Sequence, residues 1–376
     1  MYDEARFGML VYMFIALREI FFAKGRFALM STVIALISLL LIMLSGLTAG
    51  LAHQSTSAIA GLPADQIAFD AGEGAEQEAS YTRSRVTTSQ VHDWKATMGV
   101  NEAEPLGITQ TLAETTGEKD TSTQITVFGA PLGGFATPDS LASGGIVVSE
   151  TVAADLGVTA DDSLSVAGEI FPISATIPDQ WYSHTPVVWM SQDAWKQITP
   201  GTSASTVGTV ILSQMVDGAN TAEVTATANQ QANTLSMTPE ESFSALASYT
   251  SEHGSLTLIQ GFLYAICALV VGAFLSVWTV QRTREIAIIR ALGASTKRVL
   301  SDALFQAAII VAIGAGTGTG LGLIAGVFAS RVAPFSIGIM TTLVPGLGII
   351  ASGLVAALVS VRRVIKVNPL LALGGN

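Results

Sequence analysis

Charge is the scarcest commodity in this 376-residue chain. Asp, Glu, Lys and Arg together make up 12% of it, where a soluble domain carries about 25%. That shortfall excludes an ordinary water-soluble globule. Cysteine is reduced to one, Cys267, which excludes an internal disulfide. It sits in an apolar run, where a buried, inert thiol is the plain structural reading. Histidine occurs four times, at His53, His92, His184 and His253. None stands in a His-Glu-x-x-His or comparable metal spacing, and each reads as a solvated or hydrogen-bonded structural residue. No serine stands in a Gly-x-Ser-x-Gly setting, so no hydrolytic constellation emerges. The chain also lacks a Gly-x-x-x-x-Gly-Lys-Ser/Thr loop, whose backbone amides would be needed to cradle ATP.

What is abundant is apolar sequence: 49% of residues, with a mean hydropathy of +0.52. Phe27 to Ala52, Leu256 to Val280 and Ala303 to Ser330 carry no formal charge over 26, 25 and 28 residues. A fourth uncharged stretch, Val332 to Val361, contains Pro334 and Pro345, so its helix is expected to begin near Leu343. A bilayer core needs roughly 20 apolar residues per helix, and the four runs read as spans over 27–52, 256–280, 303–330 and 343–361. The first is too long for a cleaved signal peptide and has no cleavage site after a short apolar core.

Lys and Arg give the spans a direction. Twelve of the eighteen basic residues lie in three clusters: Arg6 to Arg26 before span one, Arg282 to Arg298 between spans two and three, and Arg362 to Lys366 after span four. The positive-inside rule makes that face cytoplasmic. Segments 1–26, 281–299 and 362–376 are then cytoplasmic, the first as an amphipathic stretch, and 53–255 is extracellular. That outer segment holds 24 Asp and Glu against 5 Lys and Arg, a net of −19, so the acidity behind the formal charge of −11 belongs to it while the rest of the chain is basic. Residues 1–12 fit the pattern less well than the amphipathic start at Met13, and read as an upstream extension or an expression remnant. The expected fold class is an α-helical membrane protein with four transmembrane helices plus a large α+β extracellular domain.

Local signals sketch that domain. Gly145 to Val148 reads as a buried strand, and the helix after Ser149 ends near Gly157. Ser163–Val166 and Ile170–Ser174 flank a turn at Ala167-Gly168-Glu169. Pro186 to Met190 reads as a strand followed by a helix from Ser191, and residues 217–233 as a helix. A further helix is expected from Pro239, with Glu240 and Glu241 in its first turn, running on into span two. Polar stretches 71–90 and 111–123 are expected to be loops.

Two features of the membrane half stand out. Gly314, Gly318, Gly322 and Gly326 recur every four residues and place small residues on one helical face, with Gly316 and Gly320 one ridge over. Tight packing within one subunit and a sliding or dimer-forming face are both open. The loop Gln281 to Val299 reads as an amphipathic helix ended by Gly293, with Ser295 capping the next. It suits either interfacial anchoring or a rigid knob for a cytoplasmic partner.

At this loop the chain resembles the FtsX-like permeases, relatives of the macrolide-exporter subunit. The pattern R-x-x-E-I-A-I-x-R-A-L-G-A-S is matched by Arg282, Glu285, Ile286, Arg290, Ala291, Leu292, Gly293, Ala294 and Ser295, and the closing P-x-x-A-L element by Pro369 to Leu373. The resemblance implies a homodimer surrounded by membrane lipid. Each copy would dock a separate cytoplasmic ATP-binding-cassette ATPase through Arg282, Glu285, Arg290, Leu292, Gly293, Lys297 and Arg298, with ATP bound by that partner and no nucleic acid involved. Within the family, Leu17-Arg18-Glu19-Ile20, Ser45 to Ala52, Tyr182-Ser183-His184 and Ala247 to Glu252 are similar to permeases of Gram-positive haem-efflux pumps, which makes haem the expected transported ligand; no intrinsic cofactor is expected.

Haem iron accepts His, Met, Cys or Tyr as axial ligands. The candidates are Met43, Glu78 with its neighbours Glu73 and Glu76, Tyr182 with His184, Tyr249 and Glu252. Three have a plainer reading beside them: gap-filling for Met43, a solvated carboxylate for Glu78, an interfacial aromatic for Tyr249. Two other functions share this architecture: export of a peptide, antibiotic or lipid, and transmission of a signal to a cell-wall hydrolase without transport.

Overall fold

A computed structural model describes residues 24–72, 78–116, 121–160, 162–199, 203–281, 288 and 295–365. It divides into two compact units, one built from the stretches up to Gly50 and from Gly254 onward, the other from Leu51–His253. The expected N-terminal amphipathic segment to residue 23, Glu73 and Glu76, the loop residues Arg282, Glu285, Arg290, Leu292 and Gly293, and the tail from 366 lie outside the described residues.

Among the described residues, four helices are long and apolar enough to cross a membrane, and the protein is multi-pass. They are α1 (Lys24–Ala60), α6 (Ala247–Gln281), α7 (Thr296–Ala329) and α8 (Ile339–Ile365). The core of this unit joins Phe27, Met30, Ile34 and Leu41 of α1, Cys267 and Val271 of α6, Ile310 and Val311 of α7, and Ile349 and Ala357 of α8. The four-residue glycine ridge of α7 faces α1. A Cβ on Gly314 would meet Ile34, one on Gly318 the Ala35 carbonyl, and one on Gly322 Ile42. Ser38 completes the seam by donating its hydroxyl to the Ala315 carbonyl at 3.1 Å. Packing inside one subunit therefore accounts for that ridge, while Gly316 and Gly320 have nothing within 4 Å.

Span four starts earlier than expected, at Ile339, and keeps Pro345 inside it. The Thr341 hydroxyl accepts the Gly338 amide at 2.8 Å, a local cap that starts the helix ahead of the proline. A proline in a membrane helix is tolerated where neighbouring groups satisfy the freed backbone.

The second unit is α+β. Its strands are β1 (Gln66–Asp70), β2 (Val86–Thr87), β3 (Val100–Thr115), β4 (Ser122–Ala130), β5 (Ile146–Ser149), β6 (Ser163–Val166), β7 (Glu169–Ile177), β8 (Trp181–Tyr182), β9 (Thr185–Ser191), β10 (Thr206–Gly208), β11 (Val210–Met215) and β12 (Thr234–Met237). The helices are α2 (Thr88–Ala96), α3 (Glu150–Leu156), α4 (Gln192–Ile198) and α5 (Thr221–Ala232). The main sheet runs β12-β1-β11-β3-β4-β9-β5-β7-β6, and a further β3–β6 pairing closes six strands on themselves. Strand β3 belongs to both parts: its first half pairs β11 and its second half pairs β4 and β6.

Alternation along the strands explains the apolar runs. In β5 and β9, Ile146, Val148, Val188 and Met190 enter one cluster with Trp195. Their neighbours Val147, Val187 and Trp189 enter another with Phe69 and Phe128. Strands buried on both faces lose polar alternation. A third cluster lies under α2 and α5, around Trp94.

Several local signals act as read. Gly157 takes the left-handed conformation after α3, Ala167 and Gly168 turn β6 into β7 with positive φ, and Ser191 caps α4. Three expectations do not hold. Residues 111–115 and 122–123 are paired strand, and 88–96 is α2, closed by a Thr87–Gln90 capping box. The segment after Pro239 forms a short 3-10 helix, Glu241–Ala245, and extended Leu246 separates it from α6. Leu246 is buried in the core beside Ala245, and anchoring it there requires the chain to leave helical geometry.

Candidate functional site

The candidate residues fall into two groups, one in each unit. In the membrane unit the haem candidate, Met43, lies on α1 toward the end away from the basic clusters. Met43 is half-buried there. One turn on, the linker between α7 and α8 folds onto α1: the Ser336 amide donates to the Gly46 carbonyl at 3.0 Å. The Phe335 ring occupies the space a Cβ would need at Gly46 and at Gly326, and the Pro334 carbonyl does so at Gly50. This contact gives the glycines in Ser45 to Ala52 a packing role. On α1, Thr48 is buried and donates its hydroxyl to the Leu44 carbonyl at 2.7 Å, and it accepts the side-chain amide of Gln260 from α6 at 3.1 Å. Polar residues inside spans are uncommon and pair with one another. This pair joins spans one and two.

In the second unit, Tyr182-Ser183-His184-Thr185 is a two-residue hairpin: Tyr182 pairs with Thr185, and both central residues have positive φ, 47° and 65°. That is the primed turn that suits strand twist, usually filled by Asn-Gly. A serine and a histidine in that region cost on the order of 1 kcal/mol or more each. The surroundings hold them there. The Ser183 and His184 amides donate to the carbonyls of Ser55 and Gln54 on α1, both at 3.0 Å. The Ser183 hydroxyl lies 3.3 Å from that of Ser248, and His184 Nε2 lies 2.9 Å from Glu252 Oε2, both on α6. The hairpin tip thus ties the part of α1 beyond Leu51 to the start of α6.

Ser55 Oγ also contacts His184 Nε2, at 3.2 Å. Serine and carboxylate meet the same ring nitrogen, whereas a hydrolytic triad needs them on opposite nitrogens. The cluster is a clasp and not a charge relay. Among the described residues no group of three His, Cys, Asp or Glu side chains is placed to hold a metal ion.

The expected haem-contacting residues of the second unit sit in different local surroundings. Tyr182 is 5% exposed and stands edge-on to Tyr81 and Phe128, ring centroids 5.8 Å apart in both pairs. Burial pushes its hydroxyl well above the usual tyrosine range, with Tyr81 adding to the effect. Glu252 is engaged by His184. Tyr249 is half-buried, stacked on His253 at 5.1 Å and edge-on to Phe243. Glu78 is exposed and pairs with Arg83 at 3.1 Å, a surface bridge of little energetic consequence. Lys297 and Arg298 lie in the first turn of α7.

Two features escaped the sequence reading. Glu104 is buried and accepts the amides of Ala136 and Phe135 at 2.9 and 3.1 Å, pinning the 131–137 loop to β3. Burial nevertheless raises its carboxyl above the ordinary range. A cavity of about 660 Å³ in the second unit is lined by polar side chains including Gln110, Glu114, Gln124 and Ser183.

Residues 257–369 match the family model described as FtsX-like permease C-terminal. A protein named as a putative hemin transport system permease protein HrtB, from Staphylococcus haemolyticus, is 27% identical over 371 residues, covering 96% of this chain and 99% of that one. A protein named as an uncharacterized ABC transporter permease, from Mycobacterium tuberculosis, is 23% identical over 381 residues at the same coverages. Among solved structures, the periplasmic region of MacB from Actinobacillus actinomycetemcomitans matches with a TM-score of 0.36 and 11% identity, covering 49% of this chain and 92% of that one. The extracellular domain of the noncanonic ABC-type transporter YknZ from Gram-positive bacteria matches at 0.34 and 12%, covering 45% and 92%.

Proposed function

We propose that this multi-pass protein with an FtsX-like permease domain is the membrane subunit of an ATP-binding-cassette exporter. It works as a homodimer with a separate cytoplasmic ATPase and expels haem from the outer leaflet. The observation that carries the reading is the near full-length similarity to proteins named as hemin transport permeases, at 27% identity over 96% of this chain. The sequence itself supplies the directional argument. The basic clusters support a cytoplasmic side for both termini and the 281–299 loop and an outer side for the acidic 53–255 segment.

In this mechanism the ATPase subunits close on nucleotide and move the knob formed by Glu285 to Arg298. Spans one and two shift, and cargo that entered sideways from the lipid is released outward. Helices α1 and α6 carry those spans, and both contribute residues to the second unit, where the Ser183-His184 hairpin ties them together. Haem is the substrate here. Its iron would accept Met43, or Tyr249 at the half-buried edge of the core, while Glu252 and Tyr182 act structurally.

The reading is tested with the permease purified together with its ATPase. Haem should stimulate ATP hydrolysis, and a Soret shift on titration should weaken when Met43 or Tyr249 is changed to Ala. An ATPase rate flat across haem concentrations would remove haem as the cargo. Stimulation by a peptide or an antibiotic instead would reassign it.

A further inference from the structure

At the basic end of the membrane unit, α7 and α8 leave a groove between them of about 630 Å³, within the range of small-ligand sites. Leu300, Leu304, Phe305 and Ala308 of α7 line one side, Leu354 and Leu358 of α8 the other. Its mouth is not apolar. Arg362 follows Leu358 by four residues on α8, so the two share a helical face about 5–6 Å apart. Arg362 is exposed, and the salt bridges among the described residues do not involve it. Lys297 and Arg298 precede Ser301, another lining residue, by one turn on α7. One acidic residue, Asp302, stands at this level, four residues after Arg298 and half-buried. By position along the two helices, three basic residues, Lys297, Arg298 and Arg362, stand against this one acidic residue.

We propose that this groove is a binding site for an anionic phospholipid, with one acyl chain between α7 and α8 and the phosphate on Arg362. An apolar trough opening onto cations at the membrane surface is complementary to a negatively charged amphiphile, and each Arg or Lys near a bilayer surface favours anionic lipid. A second copy of the chain would instead have to bury Arg362 against an identical basic end. The assignment is independent of what the protein exports.

The test uses the full-length chain released from membranes and examined by native mass spectrometry with dioleoyl phosphatidylglycerol and, separately, dioleoyl phosphatidylcholine. The wild type should retain the anionic phosphatidylglycerol about fivefold better. R362Q should lose that preference, and A308W, which fills the trough, should lose both lipids. R331Q, changing an arginine just beyond the other end of α7, should behave as wild type. Equal retention of the two lipids by the wild type would overturn the proposal, as would an unchanged preference in R362Q. A dimer that A308W converts to monomer with lipid retention unaltered would assign the groove to a second copy. If A308W fails to fold, the R362Q comparison decides alone.

Discussion

Gln260 of α6 donates its side-chain amide to the hydroxyl of Thr48 on α1 across 3.1 Å, joining two membrane spans. Interhelical hydrogen bonds in membranes are worth on the order of 0.6 kcal/mol, up to about 2, enough to bias two spans without locking them. A T48C/Q260C double variant should therefore crosslink in the resting protein. With the ATPase partner and ATP present, crosslinking should fall. Equal crosslinking in both states would mean that spans one and two do not move here.

The glycine ridges of α7 give a contrast within one helix. Gly318→Val drives a side chain into the Ala35 carbonyl, whereas Gly316→Val meets open space. Overpacking costs about 1–3 kcal/mol. Thermal melts in detergent should show Gly318→Val markedly destabilised and Gly316→Val close to wild type. Gly46→Leu, displacing Phe335, should resemble the former.

The Ser183-His184 turn is strained backbone held by its neighbours. Ser183→Gly removes a left-handed serine at the expense of one 3.3 Å hydroxyl contact, and the melting temperature should hold or rise. Ser183→Val should lower stability by about 1–3 kcal/mol, because a β-branched residue resists positive φ. If the two variants melt alike, the turn is not strained.

Glu104 sets a pH dependence with a definite sign. Its folded pKa is raised by burial, against the lowering effect of the Ala136 and Phe135 amides. A group with a raised folded pKa contributes stability that is full below its unfolded pKa and lost as pH rises through the folded value. The wild type should therefore gain on E104Q as pH falls from neutral through the carboxylate range. Other carboxylates cancel in that difference. A gap in melting temperature that is constant with pH would contradict the assignment.

How legible the fold was depended on how local its causes are. Gly157, Ser191 and the Ala167-Gly168 turn act within a few residues, and their elements stand where the sequence placed them. Residues 111–115 and 122–123 read as loop from sequence because they carry no Val, Ile or aromatic residue; pairing in the β3–β4 ladder, with β6 on the other side of 113–115, overrides that. The Ser183-His184 turn lacks the Asn-Gly signal, so its geometry could not be read in advance. Gln260 was legible in principle: it is the single amide side chain between Leu256 and Val280, and an isolated polar residue in a span calls for a partner. Tyr182 shows the reverse case. Its type suits iron, yet the aromatic cluster that swallows it is assembled from Tyr81 and Phe128, 101 and 54 residues away in sequence.

The most direct test of the account is growth of cells lacking this chain in rising haem. The deletion should be selectively sensitive to haem and be rescued by the wild-type gene, with tolerance to unrelated antibiotics and peptides unchanged. Haem tolerance equal to that of the parent strain, with the ATPase partner expressed, would contradict it.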